Sequence, residues 1–368
     1  MLSESRRNRL FSTMRRTLIQ YHSLDCFVQA AFRQVGLSGA DAETAASVLV
    51  TTDAWGVFTH GTKSLTPYLR RLQRGGLRSR GQARVVSEGG AWVTVDGDSA
   101  LGLVTSTFAM RQAMTKARLQ GIGLCTVRNS CHFGAAGYYA WLAAREGFIG
   151  LSMANDIPTV AAPGSRRPVT GSNPFSYAVP AGRYPPLLLD MSIATVALGK
   201  VFAMHEKGEP IPANWIVDGN GQPTTDPSGL PRQGALLPAA GHKGYGLALF
   251  IETLAGLLSG AGFTSRVGSW LWDDGTKPTH HGAAFIAIDV NALMPSAQFL
   301  QRVETLIEEI HSAPRAVGVD RLYVPGEMEW ERHDRALKQG IPLPDDVVAS
   351  LRTAAGLVGL KLPSEVLA

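Results

Sequence analysis

The chain has 368 residues, a formal charge of +5 and 45% hydrophobic residues. With a mean hydropathy of +0.03, this is the composition of a folded protein long enough for two domains, and it excludes a disordered or collagen-like chain. The positive charge is thin: the one dense cluster, RRNRLFSTMRR, lies near the start, whereas a nucleic-acid groove gathers Lys and Arg over one surface.

No nucleic-acid partner is therefore expected. Residues 1–17 read as a basic N-terminal extension; no apolar stretch follows it, so it does not read as a secretory signal. The best apolar run, YGLALFIETLAGLLSGAGF, is interrupted by Glu252 and does not suit a membrane span. Cys26, Cys125 and Cys131 form no CxxC pair, which fits a reducing, cytoplasmic setting.

In chain order, residues 24–36 read as an amphipathic helix closed by Gly36, and residues 37–56 as a second. Ser38 and Asp41 have the spacing of a capping box, with Asp in place of the usual Glu. SLTPYLRRLQRGG is helical from Pro67. ARVVSEGGAWVTVDG then reads as two strands about Glu88-Gly89-Gly90, followed by a long helix ending at Gly121. The strand GLCTVR, the helix GAAGYYAWLAAREG and the strand FIGLSMAN alternate as in an α/β layer. PFSYAVP and PPLLLD add strands, and SIATVALGKVFAMHEKG reads as helical. Residues 208–240 are irregular and rich in Gly and Pro, as functional loops or interface arms are. GHKGYGLALFIETLAGLLSG returns to helix and AAFIAIDV to strand, and three helices follow Ser296. The expected organisation is a helical lobe from 18–84 plus 296–368 around a central mixed α/β domain over 85–295.

The dinucleotide fingerprint G-x-G-x-x-G, the Walker A loop and the GxSxG elbow are all absent. His280 and His281 are adjacent, and no neighbouring His or Cys completes a metal-ligand spacing. Sites in α/β folds gather where strands feed helices, and His132 lies at such a point, in RNSCHFG. It reads either as a proton carrier with a pKa near neutrality or as a turn histidine satisfied by a carbonyl. His60, in FTHGTKS, reads as a polar turn or as a ligand contact beside Thr59 and Gly61. Asn173 in GSNP can pair with a carboxamide or with backbone. Asp190 in LLLD reads as a helix cap or a ligand acceptor. Lys243 in GHKGYG suits a phosphate or carboxylate at a helix start, with capping and close packing as the alternative.

Taken together, five ordered stretches resemble the type 2 malate/L-lactate dehydrogenase family: DAWGVFTHG, NSCHFG, GSNP, LLLDMSIATVALGK and GHKGYGL. That family also holds ureidoglycolate, sulfolactate, diketogulonate and cyclic imine-carboxylate oxidoreductases. The resemblance implies a non-Rossmann NAD(P)-binding fold of the α/β class with mixed sheets, a helical lobe from both termini, and a homodimer with its site near the interface. It implies NAD or NADP as cofactor, a small 2-oxo or 2-hydroxy acid as substrate, and His132 as the catalytic acid–base. Thr59, His60, Ser64 and Tyr68 match substrate-pocket positions; Asn173, Asp190, His242, Lys243 and Gly244 fall in cofactor-side stretches.

Two departures bear on specificity. Ser64 stands where many members carry an arginine that clamps the substrate carboxylate, a bidentate contact no serine makes; Lys63, Arg70 or a partner-subunit group are the alternatives. Ala194 lacks the hydroxyl common after the Asp-Met pair. The expected activity is hydride transfer between nicotinamide and a 2-hydroxy acid, with reduction of a cyclic imine 2-carboxylate as the alternative. A degenerate, non-catalytic binding protein is the reading from a different class.

Overall fold

The structure, a computed structural model, describes residues 17–367. Apart from Thr17, the expected basic extension lies outside the described residues. Two units are resolved: one takes the chain up to Leu69, Pro180–Leu187 and everything from Met294, and the other Arg70–Val179 and Leu188–Leu293. Among the described residues no helix is long and apolar enough to cross a membrane.

The first unit is helical and drawn from both ends of the chain. Its longer helices include Tyr21–Gln34, Gly39–Ala54, Ser296–Ser312, Glu327–Gln339 and Asp345–Val358, and an antiparallel strand pair joins Thr17–Ile19 to Ile341–Leu343. Ser38 caps the helix: its Oγ accepts from the Asp41 amide at 3.1 Å, and it donates to the Asp41 carboxylate at 2.7 Å, side chain to side chain rather than through the Ser38 amide of a full capping box. Gly39–Ala54 is buried on most faces, from Ala42 to Asp53. That is why its sequence lacks a polar stripe. Trp55 meets Trp330 edge to face at 5.5 Å, and the Trp330 indole donates to the Pro186 carbonyl at 2.7 Å. The segment Pro180–Leu187 is thereby held to this unit, aided by the Arg183 amide donating to Glu304 at 2.9 Å.

The second unit carries a seven-stranded mixed sheet in the order Arg84–Glu88, Trp92–Asp96, Ile122–Ser130, His281–Asp289, Phe148–Ala154, Phe175–Val179, Leu187–Met191. Trp92–Asp96 runs parallel to Ile122–Ser130, and His281–Asp289 lies antiparallel to both its neighbours. The helix Gly102–Gln120 packs on Ile122–Ser130 through Gly123, where a Cβ would strike the Ala113 carbonyl and the Ala117 nitrogen. A side chain there would hold helix and sheet apart.

The structure departs from the sequence reading in three places. The helix expected from Ser192 begins only at Leu198. Before it the chain is extended, with the Thr195 amide donating to Leu237 at 2.8 Å and Ile193, Ala194 and Val196 buried. Residues 208–240, read as irregular, contain the two-residue strands Ile216–Val217, Pro223–Thr224 and Ala235–Leu236. These complete a five-stranded sheet with Val160–Ala161 and Pro168–Thr170. Strands so short leave no alternation to read. The edge of the helical lobe, placed at 84, falls instead between Leu69 and Arg70, because the next residue, Arg71, is anchored to carbonyls of Ser269, Trp270 and Lys277.

Candidate active site

His132 follows the end of the strand Ile122–Ser130 and precedes the helix Ala136–Ala144. The loop is pinned on several sides. Phe133 is buried and its carbonyl accepts from the buried Tyr139 hydroxyl at 2.5 Å. Thr279 donates to the Ser130 carbonyl at 3.3 Å. At Gly102 a Cβ would collide with the Cys131 and His132 carbonyls, so only glycine lets that helix start come so close. The His132 ring itself is half-buried. The Gly134 amide faces its Nδ1 at 3.4 Å, a long contact. One face lies on the Trp270 indole, with centroids 3.9 Å apart and planes within 7°. Cys131 is buried, and burial pushes its thiol up. It is therefore no thiolate nucleophile at neutral pH.

The residues read as cofactor-side take different places in the second unit. Asn173 is fully buried. Its carboxamide accepts from the Asp156 amide at 3.1 Å and donates to the Ala248 carbonyl at 3.2 Å and the Glu252 carboxylate at 2.7 Å. Both its donors are engaged inside the protein, where it braces Glu252. Asp190 is exposed and accepts from the Gly137 amide at 2.7 Å, in the first turn of Ala136–Ala144. It thus caps the helix after His132, rather than the one that follows its own strand. His242 and Lys243 are exposed at the start of the helix His242–Glu252. Gly244 packs so closely that a Cβ would meet the Ala239 carbonyl; its role is steric. A lysine beside a helix N-terminus suits an anionic group such as a dinucleotide phosphate, so this donor set fits the cofactor that the family uses. Among the described residues no group of three or more His, Cys, Asp or Glu is arranged to hold a metal ion.

In the first unit Thr59 is exposed and its Oγ1 lies 2.9 Å from His60 Nδ1. Ser64 is buried, and its hydroxyl donates to the Thr59 carbonyl at 3.2 Å. Tyr68 is fully buried. Ser64 and Tyr68, read as pocket residues, are thus both buried within this chain, and Ser64 steadies Thr59 from behind. Lys63 pairs with Asp346 at 2.7 Å on the exposed surface.

Several groups escaped the sequence reading. Asp53 is fully buried nine residues before Thr62, whose amide and hydroxyl both donate to its Oδ2, at 3.1 and 2.5 Å. Burial pushes its carboxyl up to about 7, against those two hydrogen bonds. Gly61 closes over it: a Cβ there would hit Asp53 Oδ1. Asp53 opens the DAWGVFTHG stretch, so its signal was present. Glu252 also carried one, as a lone carboxylate in an apolar run. His281 is buried, 3.2 Å from Asp156 through Nε2 and 2.8 Å from Thr279 through Nδ1. Trp270 carried no signal.

Solved dehydrogenases and a reductase superpose on this chain over nearly its whole length, which sets its class. The chain belongs to the malate/L-lactate dehydrogenase family, whose sequence model matches residues 19–352. Members of that family are NAD(P)-dependent oxidoreductases of 2-hydroxy and 2-oxo acids. Malate dehydrogenase from Pyrococcus horikoshii is 35% identical over 342 residues, covering 91% of this chain and 94% of its own; its structure matches with a TM-score of 0.85, covering 95% and 97%. Ureidoglycolate dehydrogenase (NAD(+)) from Escherichia coli K12 is 33% identical, covering 89% and 93%. The delta1-piperideine-2-carboxylate reductase of Pseudomonas syringae is 29% identical, with a TM-score of 0.81, covering 92% and 99%.

Proposed function

We propose that this protein transfers hydride between NAD or NADP and a 2-hydroxy acid/2-oxo acid pair of the malate or lactate type, with His132 as the acid–base group. The observation that carries this is the His132 ring, held half-buried where the strand Ile122–Ser130 gives way to the helix Ala136–Ala144. When bound, the nicotinamide supplies the hydride or accepts it. In reduction the protonated His132 gives its proton to the substrate oxygen, so no alkoxide charge builds up uncompensated. In oxidation the neutral ring takes that proton back. The Asp190 cap on the helix behind His132 fixes the loop that aims it. Thr59 and His60 are the accessible polar groups of the substrate-side stretch, and Lys243 at its helix start is the group we assign to the cofactor phosphates.

The likeness to a piperideine-carboxylate reductase favours a second reading, in which the same proton goes to an imine nitrogen. A side-by-side assay of oxaloacetate, pyruvate and piperideine-2-carboxylate, each with NADH and NADPH, separates the two. Turnover of a keto acid above the imine supports the first reading, and the reverse order the second. No turnover and no binding of either dinucleotide would leave a non-catalytic binding protein.

We further propose a homodimer. From His242 to Leu258 the chain exposes Leu249, Phe250, Leu257 and Leu258, each between 41% and 57% accessible, a clustering that marks an association surface. Sedimentation should give twice the chain mass, and Phe250→Asp should lower it to the monomer; a monomeric wild type would refute this. The free cysteines Cys26, Cys125 and Cys131 suit the reducing cytoplasm, where cell fractionation should find the protein.

A further inference from the structure

The stack of Trp270 on His132 is built in from both sides of the indole's loop. Arg71 is buried, and its guanidinium donates to the carbonyls of Ser269 at 3.2 Å and Trp270 at 3.5 Å, and to that of Lys277. The Ser269 hydroxyl accepts from the amides of Leu271 and Trp272 at 3.2 and 2.9 Å. Gly76 donates to Gly275 at 3.0 Å. So many backbone groups tied to so short a loop leave the indole little freedom to swing, and only 9% of Trp270 is accessible.

An indole face against an imidazole does two things. It fixes the plane of the ring, leaving the nitrogen edge as the direction of proton transfer. It also favours the imidazolium, because the negative face of the π-system attracts a cation, and indole does so best among side chains. Two neighbours pull the other way: the Gly134 amide points at Nδ1 at 3.4 Å, and the first turn of Ala136–Ala144 carries a partial positive charge. Among the described residues, the charged or titratable groups about this loop include the Asp190 carboxylate, which accepts from Gly137 in that first turn and so offsets its positive field, and Cys131, with Arg71 and Asp156 acting on it and His281 linked to both Asp156 and Thr279.

We propose that Trp270 is a positioning residue for His132, stacked so as to orient the ring and to hold the protonated form that reduction requires. This rests on His132 being the acid–base group. Arg71 then has a role as well, since this buried cation is spent on three carbonyls of one loop and clamps the indole in place.

The test uses the full-length protein and the variants Trp270→Phe, Trp270→Leu and His132→Gln. Excited indole loses emission to a contacting imidazolium more than to a neutral imidazole. The emission difference between wild type and Trp270→Phe should therefore titrate with one proton between pH 5 and 9, and that titration should vanish when His132→Gln is added to both. In steady-state reduction of oxaloacetate or pyruvate with NADH, kcat/KM should fall on the alkaline side at lower pH in Trp270→Leu. The loss at pH 8 should be on the order of 3- to 30-fold, the range of a cation–π contact, with Trp270→Phe recovering most of it and KM for NADH unchanged. A flat emission difference, or a Trp270→Leu profile that overlays the wild type while His132→Gln is inactive, overturns the inference and leaves the role of His132 standing. Full activity in His132→Gln overturns both. If Trp270→Leu fails to fold, the emission titration against Trp270→Phe decides alone.

Discussion

Replacing His132 with Ala is expected to lower kcat/KM for 2-oxo acid reduction by about 10²- to 10⁴-fold, the usual contribution of a positioned general acid. The methyl group has no proton to give, and a water in its place lacks the geometry set by Gly134 and Trp270. The loss should fall on kcat. The dinucleotide affinity should hold, because the groups assigned to its phosphates sit on the separate helix start at Lys243. The variant should also lose the pH limb of the wild-type profile, since the titrating group is gone. Folding should survive, as the ring is only half-buried and the loop is held by Phe133, Tyr139 and Thr279. A steady-state profile from pH 5 to 9, with a melting curve for each protein, checks this. An unchanged kcat/KM would sink the assigned role.

The second large effect is on stability and comes from Asp53. Its carboxyl is fully buried and sits at about 7 in the folded protein, against about 3.9 in an unfolded chain. Between these values the folded state keeps a proton that the unfolded state releases. Stability is therefore highest below the unfolded pKa and declines as pH rises through the folded one. The whole difference is on the order of 4 kcal/mol, of which about 2–3 kcal/mol is lost between pH 5 and pH 8. Asp53→Asn, which keeps an acceptor for Thr62, should remove that decline. Urea midpoints of the two proteins at pH 5, 6, 7 and 8 would show it, and parallel curves would refute it. The same proton bears on function. Asp53 holds Thr62 by both amide and hydroxyl, and Gly61 lies against it. Its charge near neutrality therefore acts directly beneath the loop that carries Thr59 and His60.

What the sequence disclosed follows from how far apart the cooperating residues lie. The loop of His132 was legible because strand, turn and helix stand in one stretch, and the Ser38 cap because it closes over three residues. Asn173 was visible as a motif but not as a brace, since its partner Glu252 lies 79 residues on. Ser64 was readable as a departure from a family pattern, yet only coordinates show its hydroxyl turned to the Thr59 carbonyl. The arm over 208–240 was opaque for a different reason: pairs of residues cannot show the alternation that marks a strand. Trp270 and Arg71 belong to no periodic pattern at all. Their meaning arises from a ring stack and a carbonyl clamp, each closed by distant parts of the chain.

The strand His281–Asp289 occupies the middle of the seven-stranded sheet, although it is the last of the seven to be translated. Until it leaves the ribosome, Ile122–Ser130 and Phe148–Ala154 each offer an open hydrogen-bonding edge in a nascent chain whose remaining strands are already made. The sheet closes by late insertion rather than by growth from one side, so long-range pairing sets its pace. Stop codons before Gly282 should leave both of those edges open and yield aggregates.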